Sequence, residues 1–212
     1  MGENKSLVIE HCSQIAKLCT QVKALKSSMI YQSGEEAVGF YYVKQGQIGL
    51  YQVTEQGKEN LLRVYGAGSY FGYRTLFTKQ PYPATARAML ESDIEWIKVR
   101  EFDHLMAQDT TLATYLMQQV CAELGEAEQR LVQFTVYSSK KRIVDTIYTL
   151  FSLYGNYPWT YREIAEYSGT DIGTVIRFCK ILKQKGYLDQ ESRKLMPINL
   201  DEMHADCEQL IG

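Results

Sequence analysis

Three cationic side chains, Arg177, Lys180 and Lys183, recur at intervals of three near the carboxyl end of the chain. The apolar residues between them have helical spacing, so the three cations would share one exposed face of a helix. Cations in such a row can bind phosphate oxygens and the acceptor atoms at the edges of DNA bases. This row is the clearest chemical signal in the sequence.

The residues around this row predict a helix–turn–helix. In that motif the first helix needs a small residue where the second helix crosses it, the turn needs a residue that tolerates a positive φ, and the second helix needs apolar residues that face back. These needs are met by Ala165, Gly169, Val175 and Phe178. Thr160 and Glu163 can form a capping box on the first helix, and Asp171 can cap the second. An ordinary helical hairpin in a core does not require this combination, so we expect DNA binding.

A short hairpin and a final helix are predicted after this motif. Lys185 and Gly186 end the second helix, and residues 187–198 have the pattern of a two-stranded wing. Asp201 can cap the last helix, whose acidic residues make it a poor DNA surface and favour a role in packing. We therefore expect a winged helix–turn–helix.

The positive charge of the chain is concentrated where the motif lies. The 212 residues have a formal net charge of −2, so no global positive field attracts a polyanion. Residues 138–194 nevertheless contain ten Lys and Arg against six Asp and Glu, whereas residues 195–212 contain none against four. Binding of nucleic acid must therefore rely on this local patch.

Several classes of protein are not expected from the sequence. Its apolar runs are too short for a membrane span and its first residues lack the pattern of a secretory signal, so we expect a cytoplasmic protein with no membrane partner. Its three histidines, His11, His104 and His204, are scattered, and no nucleophile-elbow, P-loop or zinc-protease pattern accompanies them. We therefore do not expect an enzyme.

The five cysteines are odd in number and lack the spacing of a zinc site or a disulfide framework. Cys12 and Cys19 can form a redox or metal group with His11, and His204 lies three residues before Cys207. Neither set supplies the four ligands of a structural zinc site. We expect reduced thiols and no metal.

Two sequence patterns divide the amino-terminal half. Residues 8–26 have apolar positions at spacings of mostly three and four, which predicts an amphipathic helix. Across residues 29–100, short runs of Tyr, Val, Ile and Phe alternate with glycines, which predicts strands joined by tight turns, among them a hairpin within residues 48–65. Such strands would form a small barrel or roll whose interior is either packed or open to a ligand.

A long helix is predicted next, with Asp109 as its N-cap. Its apolar residues recur at alternating spacings of three and four, which is the pattern of a heptad seam. This seam consists of Met117, Val120, Leu124, Ala127, Leu131 and Phe134. A second copy of the helix would cover the seam by two-fold symmetry, so we expect a homodimer; the alternative is that the stripe packs only on its own roll. Close contact between helices would also explain Gly125, which is unfavourable inside a helix.

In this order of elements, the chain resembles the catabolite activator and fumarate-nitrate regulator (CRP/FNR) family of bacterial transcription regulators along nearly all of its length. Residues 40–48 resemble the strand before the family's first turn, residues 68–73 its ligand-cassette entry and residues 85–88 its exit. The resemblance implies a regulator that reads double-stranded DNA and recruits or hinders RNA polymerase.

The resemblance also implies the architecture. It is an α+β protein with a cyclic-nucleotide-binding-type, jelly-roll-like β-roll in residues 1–108, a dimerisation helix in residues 109–137 and a winged helix–turn–helix in residues 138–212.

An effector pocket in the roll is implied as well, and here the sequence departs from the family. Members that bind cyclic nucleotides have a glutamate at the position of Tyr73 and an arginine-containing pair at Tyr82 and Pro83. Because a tyrosine cannot replace the grip of a guanidinium on a phosphate, we expect an unidentified effector, or none, rather than cyclic AMP. The candidate pocket residues are Gly72, Tyr73, Arg74, Tyr82, Thr85 and Arg87. The iron–sulfur branch of the family uses several N-terminal cysteines, so two cysteines predict no cluster.

The reading helix departs from the family too, because positions that offer Arg and Glu to bases in many members hold Ile172 and Gly173 here. Arg177 keeps the family's place of a groove-facing arginine that binds guanine, and the apolar Ile172 suits a thymine methyl group. From their residue types and positions, we expect phosphate contacts from Thr170, Thr174, Lys180 and Lys183. A second class of function stays open, that of a ligand or redox sensor acting through protein partners.

Overall fold

The computed structural model describes residues 15, 17–54, 57, 59–155 and 157–206. The chain divides into two compact units between Gly125 and Glu126. The boundaries predicted from the sequence, after residues 108 and 137, fall at the two ends of the long helix, whereas the compact units divide inside it. Among the described residues no helix combines the length and the apolar composition that crossing a bilayer requires.

The first unit contains two four-stranded antiparallel sheets, which confirms the predicted β-roll. The strands are β1 (Cys19–Ala24), β2 (Met29–Tyr31), β3 (Phe40–Gln45), β4 (Gln47–Val53), β5 (Glu59–Gly66), β6 (Tyr70–Phe71), β7 (Thr85–Ala88) and β8 (Ser92–Ile97). One sheet has the order β1-β8-β3-β6 and the other β2-β7-β4-β5. Residues 55, 56 and 58 of the predicted hairpin turn lie outside the described residues. Its two strands pair as expected, for example Ile48 with Tyr65.

The amphipathic helix predicted for residues 8–26 is wrong over its last part, where Cys19–Ala24 forms β1. This segment pairs antiparallel with β8, from Cys19 opposite Ile97 to Ala24 opposite Ser92. Hydrogen bonds to a distant strand outweigh the local helical spacing, and the β-branched Thr20 and Val22 suit a strand. Residues 8–14 lie outside the described part of the chain.

Three helices complete the described part of the first unit and lead into the second. They are α1 (Arg74–Thr78), α2 (Phe102–Gln108) and α3 (Thr110–Val136). The backbone N–H of Leu112 donates to Asp109 Oδ1 at 2.9 Å, so Asp109 caps α3 as predicted. Among the described residues, no atom lies within 4 Å of a Cβ added at Gly125, so close packing by these residues does not explain the glycine.

The second unit adds four helices, α4 (Ser139–Tyr154), α5 (Tyr161–Ser168), α6 (Ile172–Gln184) and α7 (Leu200–Ala205). α4 packs against each of the other three helices, and Ile147, Trp159 and Phe178 are buried in this unit. Asn199, not the predicted Asp201, caps α7: its side chain accepts from the N–H of Glu202, because the extended backbone at Asn199 places it just ahead of the first turn. The predicted wing is reduced to one antiparallel bridge, Leu188 to Pro197.

Candidate nucleic-acid interface and the interior of the roll

The turn between α5 and α6 requires a glycine for two independent reasons. Gly169 has φ 61° and ψ 39°, in the left-handed region that side chains disfavour. A Cβ added at this position would lie 2.9 Å from Cε1 of Phe134, which is too close for an unstrained contact. The backbone N–H of Gly169 also donates to Ala165 O, so the turn closes α5 while the chain changes direction.

Both helices of the motif begin at the predicted caps. Thr160 and Glu163 form a capping box at the start of α5. At the start of α6, Asp171 Oδ1 accepts from the N–H of Thr174 at 2.8 Å. Hydrogen bonds from Thr174 lower the pKa of the Asp171 carboxyl group, with a smaller contribution from the charge of Arg177. Asp171 is therefore a carboxylate at the N-terminus of α6.

Arg177 lies on the exposed side of α6 and folds back toward that N-terminus. Its Nη2 donates to Thr174 Oγ1 at 3.0 Å. Its Nη1 would be 3.3 Å from a Cβ added to Gly173, so the guanidinium lies over the glycine. A side chain longer than hydrogen at position 173 would crowd this conformation. Gly173 therefore leaves room for the Arg177 guanidinium, although it has no side chain to contact a base.

The other predicted DNA-contact residues differ in exposure and in their hydrogen-bond partners within the unit. Ile172 and Lys180 are exposed on α6, and Ile172 keeps 47 % of its surface open. Thr170 shares a hydrogen bond of 2.8 Å with Ser168, and Lys183 Nζ donates to the wing carbonyl of Ser192 at 2.5 Å. Ile172, Gly173, Thr174, Arg177 and Lys180 lie on the accessible side of α6. The side chains of Thr170, Thr174, Arg177 and Lys183 each have a hydrogen-bond partner within the unit.

Sequence reasoning missed three exposed residues beside this surface. Ile176 is 48 % exposed one turn after Ile172, and Arg193 and Lys194 are exposed in the wing. Ile176 could have been found because it lies four positions after Ile172, on a helix face that is otherwise polar. For the wing, the adjacent cations themselves were the signal.

Aromatic side chains fill the interior of the roll. The Tyr31 and Tyr82 rings stack with centroids 3.8 Å apart, and Tyr41 stacks on Phe71 at 5.0 Å. All four residues belong to one buried cluster. The Tyr82 hydroxyl donates to Gly39 O at 2.6 Å. Burial raises the pKa of Tyr82 and of Tyr31, so both hydroxyl groups stay protonated.

Tyr73 belongs to a different cluster from Tyr82, although both were assigned to one effector pocket. Its hydroxyl donates to Glu123 Oε1 at 2.8 Å, and the Tyr65 hydroxyl donates to the same oxygen at 3.1 Å. Burial is the main cause that raises the pKa of Tyr73, and the adjacent carboxylate acts in the same direction. Tyr73 therefore connects the roll to α3.

The remaining pocket candidates already have partners or face solvent. Arg87 Nη2 lies 2.7 Å from Glu59 Oε2, and its guanidinium covers the Tyr51 ring. Thr85 Oγ1 accepts from the N–H of Ser33 at 3.1 Å. Arg74 is exposed at the start of α1. A Cβ added at Gly72 would lie 3.3 Å from the Tyr31 ring.

Replacing Tyr82 with alanine is expected to lower the free energy of unfolding of the roll by about 3 to 5 kcal/mol, because a buried ring leaves a cavity against Tyr31. Tyr82→Phe keeps the ring and leaves Gly39 O without its donor, so its expected cost is about 1 to 3 kcal/mol. Urea unfolding followed by fluorescence measures both. Equal losses for the two variants would show that the stacked ring contributes little.

Among the described residues, no group of three or more His, Cys, Asp or Glu is arranged to hold a metal ion. The two groups considered in the sequence, Cys12 and Cys19 with His11 and His204 with Cys207, include residues outside the described part. Cys179 is buried in the second unit, and burial raises the pKa of its thiol to about 12. Such a thiol stays protonated at neutral pH, which disfavours nucleophilic reaction.

The heptad seam of α3 is largely open in the single chain. Met117, Leu124 and Leu131 have 46 %, 59 % and 64 % of their surfaces exposed. Ala127 is exposed and Val120 is half-buried. Phe134 is 42 % exposed, since part of its ring lies against Gly169. An apolar row of this length on an exposed helix face is typical of an interface.

Comparisons with known proteins agree with this architecture. The family profile of the cyclic nucleotide-binding domain matches residues 21–109. An uncharacterized protein of Haemophilus influenzae is 41 % identical over 99 residues, which cover 47 % of this chain and 77 % of that protein. The fumarate and nitrate reduction regulatory protein of Vibrio cholerae is 23 % identical over 196 residues, or 88 % of this chain and 76 % of that protein.

A solved structure extends the likeness to the fold of nearly the whole chain. It is a CRP/FNR-family transcriptional regulator from Thermus thermophilus, with a TM-score of 0.75, 22 % identity, and coverage of 89 % of this chain and 98 % of that one. The matched profile lies in the roll. The Vibrio cholerae relative, which matches 88 % of this chain and so includes both the roll and the helix–turn–helix, is a regulatory protein. The chain is therefore a member of the CRP/FNR family of transcription regulators, not an enzyme.

Proposed function

We propose that this chain binds a specific palindromic DNA sequence as a homodimer, with α6 of each protomer in the major groove of one half-site. Regulators of this family bind DNA and act as dimers. The observation that carries the proposal for this chain is the two-sided character of α6: Val175, Phe178 and Leu182 are buried, while Ile172, Arg177 and Lys180 are exposed on the other side. A helix of this kind can enter a groove while its apolar face stays in the core.

We propose distinct roles for the exposed residues. Arg177 donates to O6 and N7 of a guanine, for which it must leave Thr174 Oγ1. Ile172 contacts the methyl group of a thymine. Phosphate contacts are proposed for Thr170, Thr174, Lys180 and Lys183. Gly173 carries no side chain and lets the backbone of α6 approach the base pairs closely.

For the dimer we propose the heptad seam on α3 as the contact between two copies. The open surfaces of Leu124 and Leu131 support this, because more than half of each residue is exposed in the described part of the single chain. A parallel pair of α3 helices related by a two-fold axis would bury the row against itself. The same axis would present two copies of α6 to successive turns of a duplex.

The roll is proposed to take an unidentified effector or none, and not a cyclic nucleotide. Its centre is filled by the stacked rings of Tyr31 and Tyr82, and Arg87 is already paired with Glu59. A phosphate would need an unpaired guanidinium in place of that ion pair. RNA polymerase as the protein partner rests on the family resemblance alone. The cytoplasm is proposed as the compartment from the short apolar runs of the sequence together with that resemblance.

Selection from a pool of random duplexes tests the proposal. The 212-residue chain is expected to enrich palindromes whose half-sites lie about one helical turn apart, roughly 10 base pairs from centre to centre. The enriched duplex should bind at least about a thousandfold more tightly than random DNA at physiological salt. Enrichment of no sequence at any salt concentration between about 50 and 200 mM would refute sequence-specific binding.

A further inference from the structure

The last turns of α3 and the reading helix α6 are joined by a short link. α3 ends at Val136 and α4 begins at Ser139, so only Tyr137 and Ser138 separate the two helices. A link of two residues has few backbone torsions, yet a small change in any of them would redirect everything that follows. Contacts across the link must therefore hold the direction of the reading helix relative to α3.

Arg142 makes such contacts from the first turns of α4. Its Nη1 donates to Tyr137 O, in the link, at 2.9 Å. Its Nε donates to Ser168 O at 3.0 Å and its Nη2 to Gly169 O at 3.2 Å, both at the turn before α6. One guanidinium thus ties the link to the turn of the helix–turn–helix.

Arg130 approaches the same turn from α3. Its Nη2 donates to Tyr167 O at 2.9 Å, and its guanidinium lies 4.3 Å from the centre of the Tyr167 ring. Phe134, one turn later on α3, packs against Gly169 and has the guanidinium of Arg142 5.7 Å from its ring centre. The carboxyl end of α5 is therefore bound by one arginine from α3, before the link, and by one from α4, after it.

These acceptors are well suited to cations. Tyr167 and Ser168 are the last residues of α5, whose final carbonyls carry the negative end of the helix dipole. The planar fork of an arginine can donate to several carbonyls at fixed angles, which a lysine cannot do. We name Arg130 and Arg142 the guanidinium clamp.

We propose that the guanidinium clamp sets the half-site spacing that this regulator accepts on DNA. The inference rests on the proposed function, since it needs a dimer that binds two half-sites. In a two-fold dimer, any change in the angle between α3 and α6 occurs in both protomers, so the distance between the two reading helices changes doubly. With the guanidinium clamp in place, the dimer therefore accepts one half-site spacing. Without the clamp, the link between α3 and α4 can bend and the dimer accepts several spacings.

The test measures the DNA affinity of the wild-type chain and of the variants Arg130→Gln and Arg142→Lys. The duplexes are the selected palindrome, versions of it with one or two base pairs added or removed at the centre, and a single half-site. Arg162→Gln is the matched control, because Arg162 is an exposed arginine of α5 that pairs with Glu166 on its own helix. Two base pairs turn the second half-site by about 70° and displace it by about 7 Å.

Wild type and Arg162→Gln are expected to lose at least about tenfold in affinity when two base pairs are added, because the rigid pair of reading helices no longer matches both half-sites. Each clamp variant should lose less than about threefold on that duplex, while its affinity for the single half-site stays within about twofold of wild type. Unchanged affinity for one half-site excludes a general loss of structure as the cause.

The same spacing profile in wild type and in both clamp variants would overturn the inference and leave the proposed function intact. A parallel loss on the palindrome and on the single half-site in both variants would also overturn it, because the arginines would then only stabilise the fold. If circular dichroism shows Arg142→Lys to be unfolded, the profile of Arg130→Gln decides. If the wild-type chain prefers no palindrome over random DNA, the proposed function itself is refuted.

Discussion

Replacing Arg177 with alanine is expected to weaken binding to the selected operator by about 2 to 6 kcal/mol, because two half-sites each lose a bidentate contact to guanine worth about 1 to 3 kcal/mol. The loss should be confined to duplexes that carry the recognised G·C pair. On duplexes with another base pair at that position, wild type and variant should bind alike. Fluorescence anisotropy with all four base pairs at each position measures the discrimination directly.

The contact can be tested from the DNA side as well. Replacing the recognised guanine by 7-deazaguanine removes one acceptor, so wild type should lose affinity and Arg177→Ala should lose no more. Lys180→Ala is the control, because an exposed cation that contacts phosphate should weaken binding to all sequences and lower the salt slope by about 1. Uniform weakening by Arg177→Ala would instead assign Arg177 to the phosphate backbone.

The helix–turn–helix was predictable because its signals are local. Thr160 and Asp171 cap helices through residues only three positions away, and Gly169 adopts its positive φ within a single turn. Such features depend on a few adjacent torsions and not on distant contacts. The structure confirms all three.

Features that depend on distant residues were not predictable in the same way. Cys19–Ala24 has helical spacing but pairs with β8, more than sixty residues later in the chain. Asn199 and Asp201 are equally good cap residues by type, and only the backbone conformation at Asn199 selects it. Local propensity gives way to tertiary pairing in the first case and to chain geometry in the second.

The effector residues show the same limit at the level of a site. Gly72 and Tyr73 are adjacent in sequence, yet Gly72 lies beside Tyr31 and Tyr82 while Tyr73 reaches Glu123 on α3. Neighbouring residues at the end of a strand can face different clusters, and sequence position alone does not say which. The clamp was missed for the related reason that its acceptors are backbone carbonyls, which no residue type announces.

Replacing Leu131 with glutamate is expected to dissociate the proposed dimer and to abolish tight operator binding. Under two-fold symmetry the substitution removes two leucine side chains from the seam, each worth about 1.5 to 3 kcal/mol when buried, and sets two carboxylates in their place. A loss of about 3 to 6 kcal/mol raises the dissociation constant of the dimer by about two to four orders of magnitude, because each 1.4 kcal/mol is a factor of ten. Sedimentation velocity should show this change directly.

Val132 provides a matched control one residue away. It is 58 % exposed against 64 % for Leu131, so exposure alone does not distinguish the two. In the heptad that places Leu124 and Leu131 at the same position of successive repeats, Val132 follows the seam and faces away from a partner. Val132→Glu should therefore remain dimeric and keep its operator affinity within about twofold, since a surface substitution costs little. Dissociation by both variants, or by neither, would place the dimer contact elsewhere than on the heptad seam.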